Sequence, residues 1–288
     1  PDPFHSMEES RDRIYDEVKR KINSDPYVIR YRRYNYVHYR SIASVITLLI
    51  ASVCTFTYRM GYHSAFHQIA QTNMEIQALP GMKSCLTLPD GTEVTLNGGS
   101  KLIYPVSFLG ERHVTLSGEG FFNVAKDHDK PFFVHSEHLS VKVLGTRFNL
   151  KAYSDDRQTL LTLQTGSVMA CSNDCEKGNS IFLKPDQQLI VDNVTKQFQC
   201  INVSAEKFVS WKDNILIFQN QTMQEIAVIL ERHFGTKINV VSEKIGEEQY
   251  TAQFKYGESL DEILKKLSYN RTWKFERCYN HIEIKSTN

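Results

Sequence analysis

Between Arg40 and Arg59 the chain carries eighteen consecutive residues without a charge, SIASVITLLIASVCTFTY. No other feature limits the fold as strongly. At ~1.5 Å rise per residue a helix over 41–58 spans ~27 Å, slightly short of a ~30 Å hydrocarbon core. Ser, Thr and Cys dilute the stretch, but hydroxyls can bond back to the helix. A buried core helix is the competing reading, and against it no polar face appears around the helix. A cleaved signal peptide fits less well, because the basic region ahead is long and no clear small-x-small cleavage site follows. The expectation is a single transmembrane helix at 41–58.

Charge sets its orientation. From Lys19 to Arg40 there are seven basic residues against one acid, Asp25, whereas beyond the span only Arg59 is basic before Lys83. Basic residues accumulate on the cytoplasmic side, so residues 1–40 read as a short cytoplasmic tail and everything after about residue 60 as lying outside. The tyrosines of YRRYNYVHY suit an interfacial belt. A basic run interleaved with aromatics can also bind nucleic acid, but the net charge of +1 argues against a polyanion-binding protein overall. Within the tail, Ile14, Val18 and Ile22 recur at i, i+4 and i+8, a thin amphipathic helix that Asp25-Pro26 ends. The residues before Met7 are set aside in this reading.

Residues 59–84 read as a helical or irregular spacer. From about 85 to 205 the chain is nearly all short alternating runs, among them TEVTLN, RHVTLSG, PFFVHS and QLIVD, punctuated by turn residues such as Asp90-Gly91 and Asn97-Gly98-Gly99. Such spacing predicts an all-β sandwich, barrel or solenoid. VKVLGTRFNLKAY (141–153) breaks parity: Val141 and Val143 share one face, and Phe148, Leu150 and Ala152 fall on the other. Strand side chains alternate with period two, so the chain must bulge or turn at Gly145-Thr146.

From 212 to 286 an internal repeat with offset 37 emerges. Ile226 maps on Ile263, Leu230 on Leu267 and Lys237 on Lys274, and Thr222-x-x-Glu225 and Ser259-x-x-Glu262 are both capping boxes. Each unit reads strand, helix, strand, which predicts a small duplicated βαβ domain. The last run, HIEIK (281–285), reads as an edge strand and a candidate docking edge. The expected fold class is therefore mainly β: a single transmembrane helix, an all-β domain that is solenoid- or sandwich-like, then a small α+β domain.

No constellation for catalysis is visible, and no catalytic, cofactor-binding or metal-ligating residues are expected. His135-x-x-His138 is the nearest thing to a metal pair, but residues three apart in a strand face opposite sides. His128, between Asp127 and Asp129, reads as turn polarity. Asp155-Asp156 reads as a solvated turn. There is no Walker A or dinucleotide fingerprint, and the glycines of LNGGS lead into a strand, with no helix dipole for a phosphate. Six cysteines are too few for a disulfide scaffold. Cys171 and Cys175 could staple a hairpin tip, and Cys85, Cys200 and Cys278 leave an odd count outside the membrane.

LPDGTEVTLNGGSKLIYP, RHVTLSGEGFFNVAKDHDKPFFVHS and VKVLGTRFNLKAY together resemble the FecR family of transmembrane anti-sigma factors. The duplicated terminal unit is similar to the domain that follows in Bacteroidetes-type members, akin to the short N-terminal domain of secretins and TonB-dependent receptors. The resemblance covers roughly residues 85–286. It implies a non-enzymatic single-pass inner-membrane regulator without cofactors. Its periplasmic part would contact the signalling domain of a TonB-dependent outer-membrane transporter, its cytoplasmic tail would hold or release an extracytoplasmic-function sigma factor, and it would not touch nucleic acid directly. In this light Gly145-Thr146 is a structural corner. Members typically carry a longer helical segment ahead of the membrane. A helix over Glu8–Ile22 is ~22 Å long, enough to dock in one groove but not to wrap a two-domain sigma factor. The alternative is a membrane-anchored periplasmic binding or structural protein without anti-sigma activity.

Overall fold

The computed structural model describes residues 3–24, 39–60, 72–172, 180–255 and 257–287. The chain divides into two units, Pro1–Phe66 and His67–Asn288. In the first, helix α1 (Pro3–Ser24) carries Ile14, Val18 and Ile22 on one stripe, all exposed. Helix α2 (Tyr39–Met60) is 22 residues long, ~33 Å at ~1.5 Å per residue. None of its apolar window is buried, so it is not a core helix. Its hydroxyls bond back to the helix, Thr55 Oγ1 to the Ala51 carbonyl and Thr57 Oγ1 to the Val53 carbonyl, each at 2.9 Å. The stop at Asp25-Pro26 and most of the YRRYNYVHY run lie outside the described residues.

In the second unit the alternating runs form a 13-stranded sheet that curls into two halves. One half holds β1 (Asn73–Gln77), β4 (Lys101–Pro105), β6 (Phe132–His135), β7 (Ser140–Val143), β10 (Val168–Cys171) and β11 (Ile181–Leu183). The other holds β2 (Ser84–Thr87), β3 (Glu93–Leu96), β8 (Arg147–Ala152), β9 (Gln158–Thr165), β12 (Gln187–Asp192) and β13 (Phe198–Asn202). The twelve-residue β5 (Arg112–Asn123) belongs to both. Its first residues pair with β4 and, in parallel, with β6; Gly118–Asn123 pair with β8. The transfer happens at Gly118, whose φ of +107° suits only glycine and where a Cβ would collide with Ser100.

The halves enclose one apolar core. Leu102, Val114, Phe132, Val134 and Val141 from one side meet Val94, Phe122, Phe148, Leu150 and Leu161 from the other. Phe122 bridges the layers, with ring centroids 6.4 Å from Phe132 and 5.1 Å from Phe148. A core shared by two layers makes this the sandwich-like of the two expectations, since solenoid repeats contact only their neighbours. The parity break is the crossing between halves: β7 ends at Val143 in one, β8 begins at Arg147 in the other, and Gly145 turns the corner at φ +151° with its α-carbon face against Lys126.

One stretch read as spacer is sheet. Asn73–Gln77 pairs antiparallel with β4 along its whole length, and β2 begins at Ser84, so the sheet starts ahead of residue 85. β1 is largely exposed and only Ile76 packs against the core; its conformation comes mostly from hydrogen bonding to β4, and the short alternation of Met74 and Ile76 is too brief to mark it in the sequence.

After β13, a short helix α3 (Ala205–Val209) and a 3-10 turn (Ser210–Asp213) lead into the terminal elements. These are β14 (Leu216–Thr222), α4 (Met223–Phe234), β15 (Lys237–Val240), α5 (Glu243–Gly246), β16 (Gln249–Phe254), α6 (Leu260–Ser268), β17 (Trp273–Arg277) and β18 (His281–Ser286). Both capping boxes form: Thr222 and Ser259 each accept from the backbone of the Glu three residues on, and that Glu returns a bond to the cap residue. Ile226, Leu230, Ile263 and Leu267 face a second core, separate from the first.

The repeat does deliver strand, helix, strand twice, but the two strands of each copy enter different sheets. β14 pairs with β16, whereas β15 and β17 flank β18. HIEIK is therefore a central strand, parallel to β15 and antiparallel to β17, and cannot be the docking edge expected of it. Alternation told which side chains point inward, and it carries no information on whether both backbone edges are paired.

Candidate functional site

The two cores of the second unit meet along a polar seam. Val209 and Trp211, in the segment joining the cores, pack on Phe121 of β5. The Trp211 indole N–H donates to Asn149 Oδ1 at 3.1 Å. Asn149 Nδ2 donates to Glu119 Oε1 at 2.9 Å, and Asn97 Nδ2 to Glu119 Oε2 at 2.8 Å. Asn149 is buried although it sits in a strand beside Phe148 and Leu150, because its face of β8 is covered by the connecting segment. Lys83 donates to the Trp211 carbonyl and to Asn214 Oδ1, and burial lowers its pKa.

The second contact is built on Arg232, in the last turn of α4. Its guanidinium donates to Asp156 Oδ1 at 2.7 Å, Asp156 Oδ2 at 3.0 Å and Asp155 Oδ1 at 2.9 Å. It also lies over the Tyr153 ring, 3.6 Å from the centroid. Burial alone would push the Asp156 carboxyl up, but Arg232 and Lys151, 3.0 Å away, outweigh it and hold the carboxyl below its ordinary range. Tyr153 donates its hydroxyl to the Gly98 carbonyl at 2.9 Å, and burial raises its pKa. The backbone completes the clasp: Gly81 N–H donates to the Arg232 carbonyl at 2.9 Å, and a Cβ on Gly98 would collide with that carbonyl oxygen. Gly98 of LNGGS thus admits the end of a helix to the sheet.

Beside this seam a cleft of about 250 Å³ is lined by Trp211, Phe208, Leu160 and His233 and by the consecutive residues Ile215–Gln219. β14 pairs only with β16 among the described residues, so no strand covers its second edge. Burial, with the charge of Lys83, lowers the pKa of His233 to about 4.

The residues singled out by spacing go elsewhere. His135 is half-buried between Ser140 and His113, 3.0 Å from each, while His138 faces Lys196. Asp127 accepts from the backbone of Asp129 and Lys130, the turn expected around His128. Asp155-Asp156 is not a solvated turn: the Asp156 side chain is only 15% exposed, and the pair receives Arg232. Cys171 is disulfide-bonded; Cys175, its expected partner, lies outside the described residues. Cys85, Cys200 and Cys278 are free. Cys278, His281 and Glu283 come together at the tip of the last hairpin, a trio that spacing did not single out. The two-residue gap between the final alternating runs was the signal that could have found it.

The FecR protein family model matches residues 75–169, and the model of the FecR C-terminal region matches residues 215–284. Two crystal structures of a candidate anti-sigma factor from Parabacteroides distasonis, at 1.65 and 2.50 Å resolution, resemble this chain with a TM-score of 0.69 and 30% sequence identity. In each case 75% of this chain and 100% of the other are covered. No curated protein matches the chain.

Proposed function

Because this chain belongs to the FecR family of anti-sigma factors, and is a regulator of a sigma factor, we propose that it works without enzymatic activity as a single-pass inner-membrane relay. Its N-terminus lies in the cytoplasm and its two-core unit in the periplasm. Charge asymmetry around α2 supports this orientation, as does the disulfide at Cys171, which suits an oxidising compartment.

The observation that carries the reading is the exposed Ile14, Val18, Ile22 stripe of α1, separated in the chain from the FecR-matched segments by an apolar span. An amphipathic helix with no partner on its apolar face docks in a groove of another protein, and here that protein is an extracytoplasmic-function sigma factor. At the other end, the signalling domain of a TonB-dependent outer-membrane transporter adds a strand to the open edge of β14. The seam beside that cleft, from Trp211 to Glu119 and from Arg232 to Asp156, carries the docking event from one core to the other.

The test is a sigma-dependent transcription reporter in cells lacking the chromosomal copy. Wild-type chain restores regulation. Val18→Asp, which charges the α1 stripe, abolishes it at unchanged protein level. Ile217→Asp, in the cleft, makes regulation insensitive to the transporter's substrate. Regulation that survives Val18→Asp removes α1 as the sigma-binding element and favours the membrane-anchored binding protein.

A further inference from the structure

The last hairpin places three different ligand types on one face. β17 and β18 pair antiparallel up to Arg277 opposite Ile282. The next pair in that register is Cys278 and His281, joined by the two-residue turn Tyr279-Asn280, and Cys278 N–H donates to the His281 carbonyl at 2.8 Å. Directly opposed residues on paired strands project to the same side. Glu283 is two residues beyond His281 and shares its face, while Ile282 and Ile284 point into the terminal core. The backbone therefore places the three residues on one face before any ligand arrives.

The ligand atoms of Cys278, His281 and Glu283 all lie within 4.8 Å of one another, and His281 Nε2 is 3.2 Å from Glu283 Oε1. Bonds of ~2.0–2.3 Å to a tetrahedral zinc put neighbouring ligand atoms ~3.3–3.6 Å apart. Side-chain rotation alone closes the difference. All three residues are half-buried, reachable from solvent yet held by the hairpin. The neighbouring cations pair first with another acid: Lys274 and Lys285 both bond Glu276, at 3.4 and 2.5 Å, although Lys285 also interacts electrostatically with Glu283 and Cys278. Among the described residues Glu283 has no ion-pair partner except His281, and the Cys278 thiol is free.

We propose that Cys278, His281 and Glu283 form a binding site for a thiophilic divalent cation, Zn²⁺, on the outer face of the terminal sheet. A sulfur, an imidazole nitrogen and one carboxylate suit zinc, whereas calcium and magnesium want shells of oxygen. Three protein ligands leave a fourth position for water or for a donor from a docked protein. The His113–His135 pair, with Glu111 beside it, is a weaker candidate because no cysteine joins it.

The test uses the purified full chain in detergent, titrated with Co²⁺ and then with Zn²⁺ against a chromophoric chelator. The expected result is one Co²⁺ per chain with a near-ultraviolet thiolate-to-cobalt charge-transfer band, bleached by Zn²⁺. C278S loses the band, and H281A and E283Q each weaken zinc binding at least ~10-fold, with metal-free melting unchanged. A wild-type chain without the band overturns the proposal. So does a band that persists in C278S, which would assign the thiolate to Cys54, Cys85 or Cys200. Neither result depends on sigma binding, so this site and the regulatory reading fail separately.

Discussion

Replacing Arg232 by Met keeps an aliphatic side chain of similar length and removes the guanidinium that lies over Tyr153. Asp155 is 72% exposed, so its ion pair contributes little. Asp156 and Arg232 are 15% and 12% exposed and bonded through two nitrogens. Breaking a buried pair costs ~3–5 kcal/mol, but Lys151 stays 3.0 Å from Asp156 and reduces the penalty. Loss of the contact over Tyr153 adds ~0.5–1 kcal/mol. About 3 kcal/mol results, and it falls on the junction, since neither core contains these groups. The two tryptophans allow that to be read directly: Trp211 sits at the junction and Trp273 in the terminal core. Urea unfolding of the full chain in detergent would follow Trp211 in a Trp273→Phe background and Trp273 in a Trp211→Phe background. With a urea slope of ~1–3 kcal/mol per M, R232M moves the Trp211 midpoint down by ~1–3 M and the Trp273 midpoint by less. Two midpoints that stay coincident and unshifted would refute the claim that Arg232 clasps the cores together.

Ile226→Asp or Ile263→Asp places a carboxylate at a position 0% or 1% exposed and costs several kcal/mol, ~2–7 on transfer scales for uncompensated polar burial; the terminal core's melting transition is lost, and two variants with native melting would contradict the repeat. Gly145→Ala forces a side chain into φ +151° with its Cβ 2.8 Å from the Lys126 Cα and lowers stability by ~1–3 kcal/mol, measured by urea unfolding; a neutral effect would show that the corner can relax. His233 has a pKa of about 4 when folded against an ordinary 6.5, so the unfolded chain takes up a proton between those values that the folded chain refuses. Stability is flat with respect to this group above pH 6.5 and falls as pH drops toward 4, by at most ~3 kcal/mol and less where solvent screens the ring. His233→Gln flattens that slope, and an unchanged slope would assign the acid sensitivity to other groups.

The membrane span, the β class and the repeat were legible because each writes a period or an absence into local sequence. Eighteen uncharged residues, alternation around Gly145, and two capping boxes at one offset needed no tertiary knowledge. Pairing partners were not legible. Nothing in HIEIK distinguishes a central strand from an edge, because alternation reports faces and says nothing of edges. Nothing in Asp155-Asp156 points to Arg232, 76 residues on, and Asn149 looks like the polar alternate of a strand until Trp211 covers it. β1 turns a single residue, Ile76, toward the core. The seam between the cores rests on such long-range polar pairs and on glycines that admit a close backbone, so it emerges only with the fold.

The most direct measurement is the affinity of the full chain, in detergent, for the sigma factor it regulates, compared between wild type and Val18→Asp. The account predicts a saturable one-to-one complex with wild type, and a loss of at least ~10-fold with Val18→Asp, the order expected when an apolar anchor of a docked helix is charged. Equal affinity in both would mean that sigma binds elsewhere than α1. No binding by wild type would contradict the assignment of this chain as the regulator of that sigma factor.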